Sequence, residues 1–499
     1  PVDPPDPILP SSPGYREADE IFAFITGATI PEDGRAVVAF QVTDGNNVAI
    51  LDLQPGDIRA IINKLTASSL GNNTGEWQSY VNSIRTGDAG SFLGATTERD
   101  GDFTNNGDGT YRYRFATSVT DLHQEIIDQA ERECLYVSYE PDLKHSVTMQ
   151  FSNGPNPANP VYDWIPASGD DQGVFNMDIS ATVNCNRCHD PLAFHGSGRF
   201  EVQYCVTCHN PGLTNTDSGQ TVSFKSMVHR IHMGANLPSV MEGDDYRYGN
   251  VIFPQDIRNC QNCHVGTATS NDFYENVHQT NQGDNWNEFP TRLACGSCHD
   301  DVVWEDHRGG QPDDTRCASC HGLEGRVGTV AESHALKVRD EGAKYVAEVL
   351  NVTNSGPGEM PSVDIRVTNP ETNQPWDILN DPPFNNDGSS LNVKLGWSTT
   401  DYTNTGNGLE NASTVSQSAL STATPNGDGS FNVQMQAAIP DGSEPPGVRA
   451  TGSGVAIIDG HPAVIFEGDE ESTNIFITDA HEFFSIDESG GSATPRRDV

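Results

Sequence analysis

The stretch Cys185-Asn186-Arg187-Cys188-His189 decides the fold, because its pattern of two spaced cysteines and an adjacent histidine returns four more times. Two thiols three positions apart can form thioethers with the two vinyl groups of one haem, and the following histidine then lies under the iron. The pattern predicts five c-type haems. The predicted thioether residues are Cys185, Cys188, Cys205, Cys208, Cys260, Cys263, Cys295, Cys298, Cys317 and Cys320. The predicted proximal iron ligands are His189, His209, His264, His299 and His321.

Zinc is the alternative for each motif taken alone, since paired cysteines also form zinc knuckles. Zinc ribbons use such knuckles in pairs, whereas this chain has an odd number of them. A tetrahedral zinc site also does not require a histidine directly after every second cysteine. The complete pattern therefore favours haem over zinc.

All five motifs lie between residues 185 and 321, which leaves fewer than about thirty residues for each haem. So short a chain cannot surround every porphyrin with a core of ordinary side chains. The porphyrins must form most of the core and lie close together. This spacing predicts an electron relay rather than five isolated sites.

Each iron needs a sixth ligand unless it is open for catalysis. His229 and His232 lie three positions apart in a predicted helix, share one face and could reach two different irons. The predicted distal ligands are His195, His229, His232, His307 and His334. The possible alternatives are His278, expected in a surface loop, and the methionines Met227, Met233 and Met241, expected to fill the core. Bis-histidine ligation favours low reduction potentials and leaves no iron vacant.

The chain on either side of the motifs has the alternation of apolar and polar residues that is typical of β-strands. We predict an N-terminal β-domain (1–175), a pentahaem domain (176–340) with little regular structure and a few short helices, and a C-terminal β-domain (341–499). Both flanking zones contain an Asn-Gly-Asp-Gly turn, at residues 106–109 and 426–429, which hints at two copies of one domain. The strand predictions are 37–42, 111–115, 363–367, 391–397 and 431–435.

Composition narrows the class of partner. The chain has 70 acidic against 28 basic residues, a formal net charge of −42, so nucleic acid and anionic lipid are excluded as expected partners. The chain has no run of about 18 apolar residues, so no transmembrane segment is predicted. The start at Pro1 is interpreted as that of an exported chain after removal of its signal peptide.

Two further features have weaker signals. Cys134, the eleventh cysteine, is expected to be a buried and unreactive thiol. The acidic segment 100–108 could bind calcium, although it lacks the full EF-hand pattern.

Several segments closely resemble the outer-membrane multihaem cytochromes of the OmcA/MtrC family. They are residues 185–196, 204–212, 227–234, 253–260 and 283–286, with 108–111 in the first zone. The resemblance implies Greek-key split β-barrels around the haem domain and bis-histidine haems. His195, His229, His232, His307 and His334 fall where that family places its distal ligands.

The resemblance further implies export to the cell surface. The partners that it implies for the protein are other multihaem cytochromes or an outer-membrane conduit. The implied electron acceptors are metal oxides, flavins or electrodes. The chain departs from the typical family member in having one pentahaem module, although residues 494–499 resemble the lead-in to a second. The third zone lacks cysteines, which excludes a redox-switching disulfide there.

Three functions remain open from the sequence. The first is extracellular electron transfer, without a dedicated substrate pocket. The second is a polymerising cytochrome, in which β-domain edges pair between subunits to form a conductive filament. The third is a reductase of a small oxyanion, which would need a vacant iron.

Overall fold

The computed structural model describes residues 7–8, 14–66, 74–154, 159–171, 177–189, 191–241, 248–266, 278–308, 310–397, 413–441, 452–478 and 480–486. The chain start at Pro1 and the segment 494–499, both interpreted from the sequence, lie outside these residues. The chain divides into two compact units, Pro1–His334 and Ala335–Val499. The three-domain division with boundaries at 175 and 340 stays a prediction.

The β-domain of the first unit contains two four-stranded antiparallel sheets, in the orders β1-β2-β8-β7 and β10-β9-β3-β4, and the hairpin β5-β6. Its strands are β1 (Ile21–Thr29), β2 (Arg35–Asp44), β3 (Ile58–Thr66), β4 (Glu76–Ser79), β5 (Asn82–Gly87), β6 (Gly90–Ala95), β7 (Asp102–Asn105), β8 (Thr110–Ser118), β9 (His145–Phe151) and β10 (Val161–Trp164).

The second unit has the same design, with β11-β12-β17-β16 in one sheet, to which β13 is added, and β21-β18-β14-β15 in the other. Its strands are β11 (Val346–Thr353), β12 (Ser362–Asn369), β13 (Gln374–Pro375), β14 (Ser390–Trp397), β15 (Ser413–Ser418), β16 (Thr424–Pro425), β17 (Phe431–Gln434), β18 (Gly452–His461), β19 (Ala463–Val464), β20 (Thr473–Asn474) and β21 (Ala480–Ile486). The two sheet orders match those of the first unit strand for strand in chain order. The two units therefore contain two copies of one β-topology.

The repeated turn has the same bonding in both copies. Asp108 accepts hydrogen bonds from the backbone N–H and hydroxyl of Thr110 at 2.9 and 2.6 Å. Asp428 accepts the equivalent bonds from Ser430 at 3.0 and 2.6 Å. Both glycines of each turn have positive φ, which side chains with a Cβ rarely adopt. The turn fixes where β8 and β17 begin.

Strand alternation has the predicted consequence for packing. In β8, Tyr111, Tyr113 and Phe115 are buried, whereas Arg112 between them is exposed. In β12, Val363, Ile365 and Val367 are buried, whereas the residues between them are partly exposed. Each unit thus has its own apolar core. The predicted fold class, mainly β flanking domains and a middle segment with little regular structure and a few short helices, is confirmed.

The segment between β10 and β11 has short helices and, in its described residues, no named strand. The α-helices of the chain are α1 (Gln124–Arg132), α2 (Thr182–Cys185), α3 (Val202–Cys208), α4 (Phe224–Met233), α5 (Pro238–Met241), α6 (Asn285–Glu288), α7 (Arg292–Cys295), α8 (Ala318–His321), α9 (Val330–Ser333), α10 (Lys337–Gly342), α11 (Pro382–Asn385) and α12 (Ala419–Thr422). Among the residues that the structure describes, no helix has the length and apolar content needed to cross a bilayer.

The prediction that Cys134 is buried is wrong, because the residue is exposed. It follows the C-terminus of α1 with a φ of 57°. This left-handed conformation turns the chain away from the helix, so the thiol is not enclosed by the neighbouring core.

Candidate functional site

The five motifs share one backbone geometry. In each, the histidine N–H donates to the carbonyl of the first cysteine, four residues earlier, at 2.9 to 3.0 Å. This is one turn of α-helix, and it brings the first cysteine, the second cysteine and the histidine to one side of the turn. The motif spacing therefore has the local structure that attachment of one planar group requires.

Each motif histidine faces a second histidine from elsewhere in the chain. We number the five sites by motif. Their ring-centroid separations are 6.2 Å for His189 and His232 (site 1), 6.0 Å for His209 and His195 (site 2), 6.0 Å for His264 and His229 (site 3), 6.1 Å for His299 and His334 (site 4) and 6.2 Å for His321 and His307 (site 5).

This separation fits one metal ion between two imidazoles. Metal–imidazole bonds are about 2.0 Å long, and a ring centroid lies about 1.1 Å from its nitrogen, given ring bonds of about 1.33 Å. Two centroids on opposite sides of one iron are then about 6.2 Å apart. All five pairs lie within a few tenths of an ångström of that value, so the residues present fit a bis-histidine haem iron at every motif.

Backbone carbonyls orient several of these rings. The Nδ1 atoms of His209, His232 and His334 lie 2.9, 2.9 and 2.7 Å from the carbonyls of Val222, Val228 and Val330. A proton on Nδ1 that is donated to a carbonyl leaves Nε2 with its lone pair free for a metal. These contacts fix both the orientation and the tautomer that iron ligation needs.

Burial keeps the rings neutral, which is the form that binds a metal. It lowers the pKa of His264 to about 4 and also lowers the pKa of His229 and His232. Burial has the opposite effect on enclosed motif thiols and raises the pKa of Cys185 to about 11 and that of Cys205 to about 12, whereas a hydrogen bond from Arg326 lowers the pKa of Cys320. The site interior therefore disfavours both imidazolium and thiolate.

Helix α4 connects two sites. His229 and His232, three positions apart, face His264 and His189 respectively. The start of this helix also contacts the second motif, because the N–H of Phe224 donates to the carbonyl of His209 at 2.7 Å.

Site 5 is nested within site 4 along the chain. His307 lies between the fourth and fifth motifs but faces the fifth, at His321. His334 lies beyond the fifth motif but faces the fourth, at His299. Site 4 therefore uses residues on both sides of site 5, whereas the ligands of site 5 all lie within residues 307–321.

Site 2 is built against the first β-domain. Cys208 is buried and belongs to the core cluster of that domain. The hydroxyl of Thr207 lies 3.4 Å from that of Thr148 in β9, and the N–H of Ala89 donates to Thr216 at 2.8 Å. The β-sheets thereby position the second motif.

Two of the alternative ligands are exposed, and the prediction that Met241 fills the core is wrong. His278 is exposed, and Met241 is 74% exposed. In the described part of the chain, no three or more His, Cys, Asp or Glu side chains are grouped so that they could hold a metal ion. All eleven cysteines are described, and none forms a disulfide.

Sequence reasoning did not assign partners to the histidines, and it gave no role to Arg230 or Asp300. These two residues form an ion pair at 3.2 Å beside the sites. The available signal was their position, since Arg230 lies between His229 and His232 and Asp300 directly follows His299.

Comparison with known proteins shows similarity in the same region. Residues 178–335 match the family described as outer membrane cytochrome MtrC/MtrF-like, domains II/IV. A multihaem cytochrome MtrC of Shewanella baltica (strain OS185) is 27% identical over 331 residues, which cover 65% of this chain and 43% of that protein. The match thus spans less than half of this relative.

Two crystal structures share the fold. The outer-membrane decahaem cytochrome OmcA superposes with a TM-score of 0.59 at 20% identity, over 97% of this chain and 74% of OmcA. MtrC from Shewanella baltica OS185 superposes with a TM-score of 0.55 at 20% identity, over 96% of this chain and 71% of MtrC.

Proposed function

We propose that this chain, whose residues 178–335 match the MtrC/MtrF-like family of outer membrane cytochromes, binds five haem c groups and transfers electrons outside the cytoplasm. The observation that carries this proposal is the set of five histidine pairs, each 6.0 to 6.2 Å apart and each containing one motif histidine. When bound, a haem supplies an iron that accepts and releases one electron.

The residues have separate roles in this proposal. The ten motif cysteines hold the porphyrins through thioethers. The motif histidines are the proximal iron ligands, and His195, His229, His232, His307 and His334 are the distal ones. Val222, Val228 and Val330 hold three of the rings in position through their carbonyls. Full ligation at every site favours electron transfer over chemistry on a bound substrate, so an oxyanion reductase is disfavoured.

We place the protein at the outer-membrane surface, as an exported chain that exchanges electrons with other cytochromes or with an outer-membrane conduit. External acceptors would be metal oxides, flavins or electrodes. The acidic surface, with a net charge of −42, suits a soluble carrier of this kind.

Calcium and filament formation remain predictions. In the segment proposed for calcium, Asp102 pairs with Arg35 at 2.8 Å and Asp108 accepts from Thr110. Electron micrographs of the purified protein would detect a filament directly.

The deciding experiment combines a haem count with a spectrum. The protein is expressed in cells that mature c-type cytochromes, and its mass is measured after denaturation. We expect the mass of the chain plus five haems, and an entirely low-spin ferric spectrum. A colourless or zinc-containing product, or a high-spin component, would contradict the proposal.

A second measurement addresses the acceptor. Chemically reduced protein is mixed with soluble flavin, with ferric oxide particles or with nitrite. We expect the flavin and the oxide to reoxidise the haems and nitrite to leave them reduced. Turnover of nitrite would favour the reductase instead.

A further inference from the structure

A partly enclosed ion pair joins two residues that neighbour, in the chain, the histidines of three sites. The Nη1 atom of Arg230 lies 3.2 Å from Oδ2 of Asp300, and the two side chains are 14% and 9% exposed. Asp300 also accepts hydrogen bonds from the N–H and hydroxyl of Ser239, at 3.1 and 2.6 Å. The carboxylate is therefore fixed on several sides, and its charge is shielded from water.

The position of the pair in the chain relates it to sites 1, 3 and 4. Arg230 lies in α4 between His229, which faces His264, and His232, which faces His189. Asp300 directly follows His299, the motif histidine of site 4. In addition, α4 packs against α7, the helix that leads into the fourth motif.

We propose that Arg230 and Asp300 form a positioning and potential-setting element between site 4 and the two sites served by α4. This inference rests on the proposed function. Reduction of a haem iron adds one negative charge, so a nearby cation favours reduction and a nearby anion opposes it. Shielded charges act strongly because little water screens them. While the pair is intact, its two opposite charges offset each other in part.

Breaking the pair from either side should therefore move reduction potentials in opposite directions. Arg230→Gln leaves the carboxylate of Asp300 uncompensated and lowers the potential of a nearby haem. Asp300→Asn removes the negative charge of that carboxylate and raises the potential of a nearby haem. We expect each change to alter the oxidised-to-reduced ratio of at least one haem roughly tenfold, which is about 59 mV for a one-electron couple.

A merely structural role makes a different prediction. If the pair only held α4 in place, both variants would disturb the same contacts and shift potentials in the same direction. Two further variants separate the roles: Arg230→Lys keeps the charge with a different shape, and the double variant Arg230→Gln/Asp300→Asn removes both charges. We expect potentials near those of the unmodified protein in both.

The experiment is a potentiometric titration of the complete haem-loaded chain, followed by electron paramagnetic resonance. Arg366→Gln is the matched control, because Arg366 forms an ion pair with Glu348 at 3.0 Å in the second unit. Opposite shifts in the two single-charge variants, with no shift in the control, support the proposal. Equal-sign shifts, or no shift, overturn it.

Loss of haem from Arg230→Gln would not end the test. The comparison would then be Asp300→Asn against Arg230→Lys, where an upward shift in the first alone supports the proposal and an unchanged potential overturns it. The proposed function is tested separately by the unmodified protein. If that protein lacks five low-spin haems, the function fails; if it has them and the variants do not shift, only this inference fails.

Discussion

The imidazole ring of His232 lies 6.2 Å from that of His189, with an angle of 75° between the ring planes. His195, which is much nearer to His189 in the chain, faces His209 instead. Because each distal histidine faces one motif histidine, removal of a distal histidine should affect the iron ligation of one site.

Replacing a distal histidine should open one iron and leave the others unchanged. In His232→Ala we expect about one fifth of the haem to become high-spin and to bind carbon monoxide, because site 1 retains only His189. In His278→Ala, the matched control at an exposed histidine, the spectrum should stay low-spin. A high-spin component in the control, or none in His232→Ala, would mean that the ligand pairing is different.

The angles between paired rings predict two spectroscopic classes. Sites 1, 4 and 5 have angles of 75°, 58° and 62°, whereas sites 2 and 3 have 32° and 36°. A ferric haem whose two imidazole planes are steeply crossed has a larger maximum g value in electron paramagnetic resonance than a haem whose imidazole planes are nearly aligned. We expect three haems in the first class and two in the second. A single class would contradict these orientations.

The repeated turn should stabilise both units in the same way. Hydrogen bonds from Thr110 and Ser430 lower the pKa of Asp108 and Asp428. Carboxylates with a lowered folded-state pKa stabilise the protein at neutral pH, and this contribution is lost as the pH falls through that pKa. We expect Asp108→Ala and Asp428→Ala to lower the melting temperature at pH 7 and to converge with the unmodified protein in acid. Calorimetry measures this, with exposed Asp469→Ala as the control.

A buried histidine should make the first unit sensitive to mild acid. Burial lowers the pKa of His145 to about 4, and its ring lies 3.0 Å from the Tyr80 hydroxyl and 2.9 Å from the Leu143 carbonyl. The unfolded chain takes up this proton near pH 6.5 and the folded chain only near pH 4. The free energy of unfolding should therefore decrease as the pH is lowered from about 6.5 to about 4, by up to about 3 kcal/mol in total.

The measurement is the pH dependence of unfolding in denaturant. His145→Gln can keep both hydrogen bonds but cannot titrate, so its stability should depend less on pH in this range. His481→Gln replaces an exposed histidine of β21 and should follow the unmodified protein. Equal pH dependence in all three proteins would exclude the role of His145.

The sequence predicted those features that depend on local spacing. Alternation identified the core faces of β8 and β12, and the i, i+3 spacing of His229 and His232 indicated that they serve different partners. The pairing of histidines could not be predicted, because it depends on tertiary contacts such as those that bring His334 back to His299. The error at Cys134 has a related cause, since a left-handed residue after α1 exposes a side chain that composition alone would bury.

The fifth site is nested between the two ligands of the fourth, and this order restricts how the protein can evolve. A truncation before His334 would leave the fifth motif and its partner His307 intact, yet it would damage the fourth site. A chain interrupted between the fourth and fifth motifs would lose ligands from both. The fourth site therefore depends on chain beyond the fifth motif, and during synthesis it can be completed only when His334 has emerged, after all ligands of the fifth site.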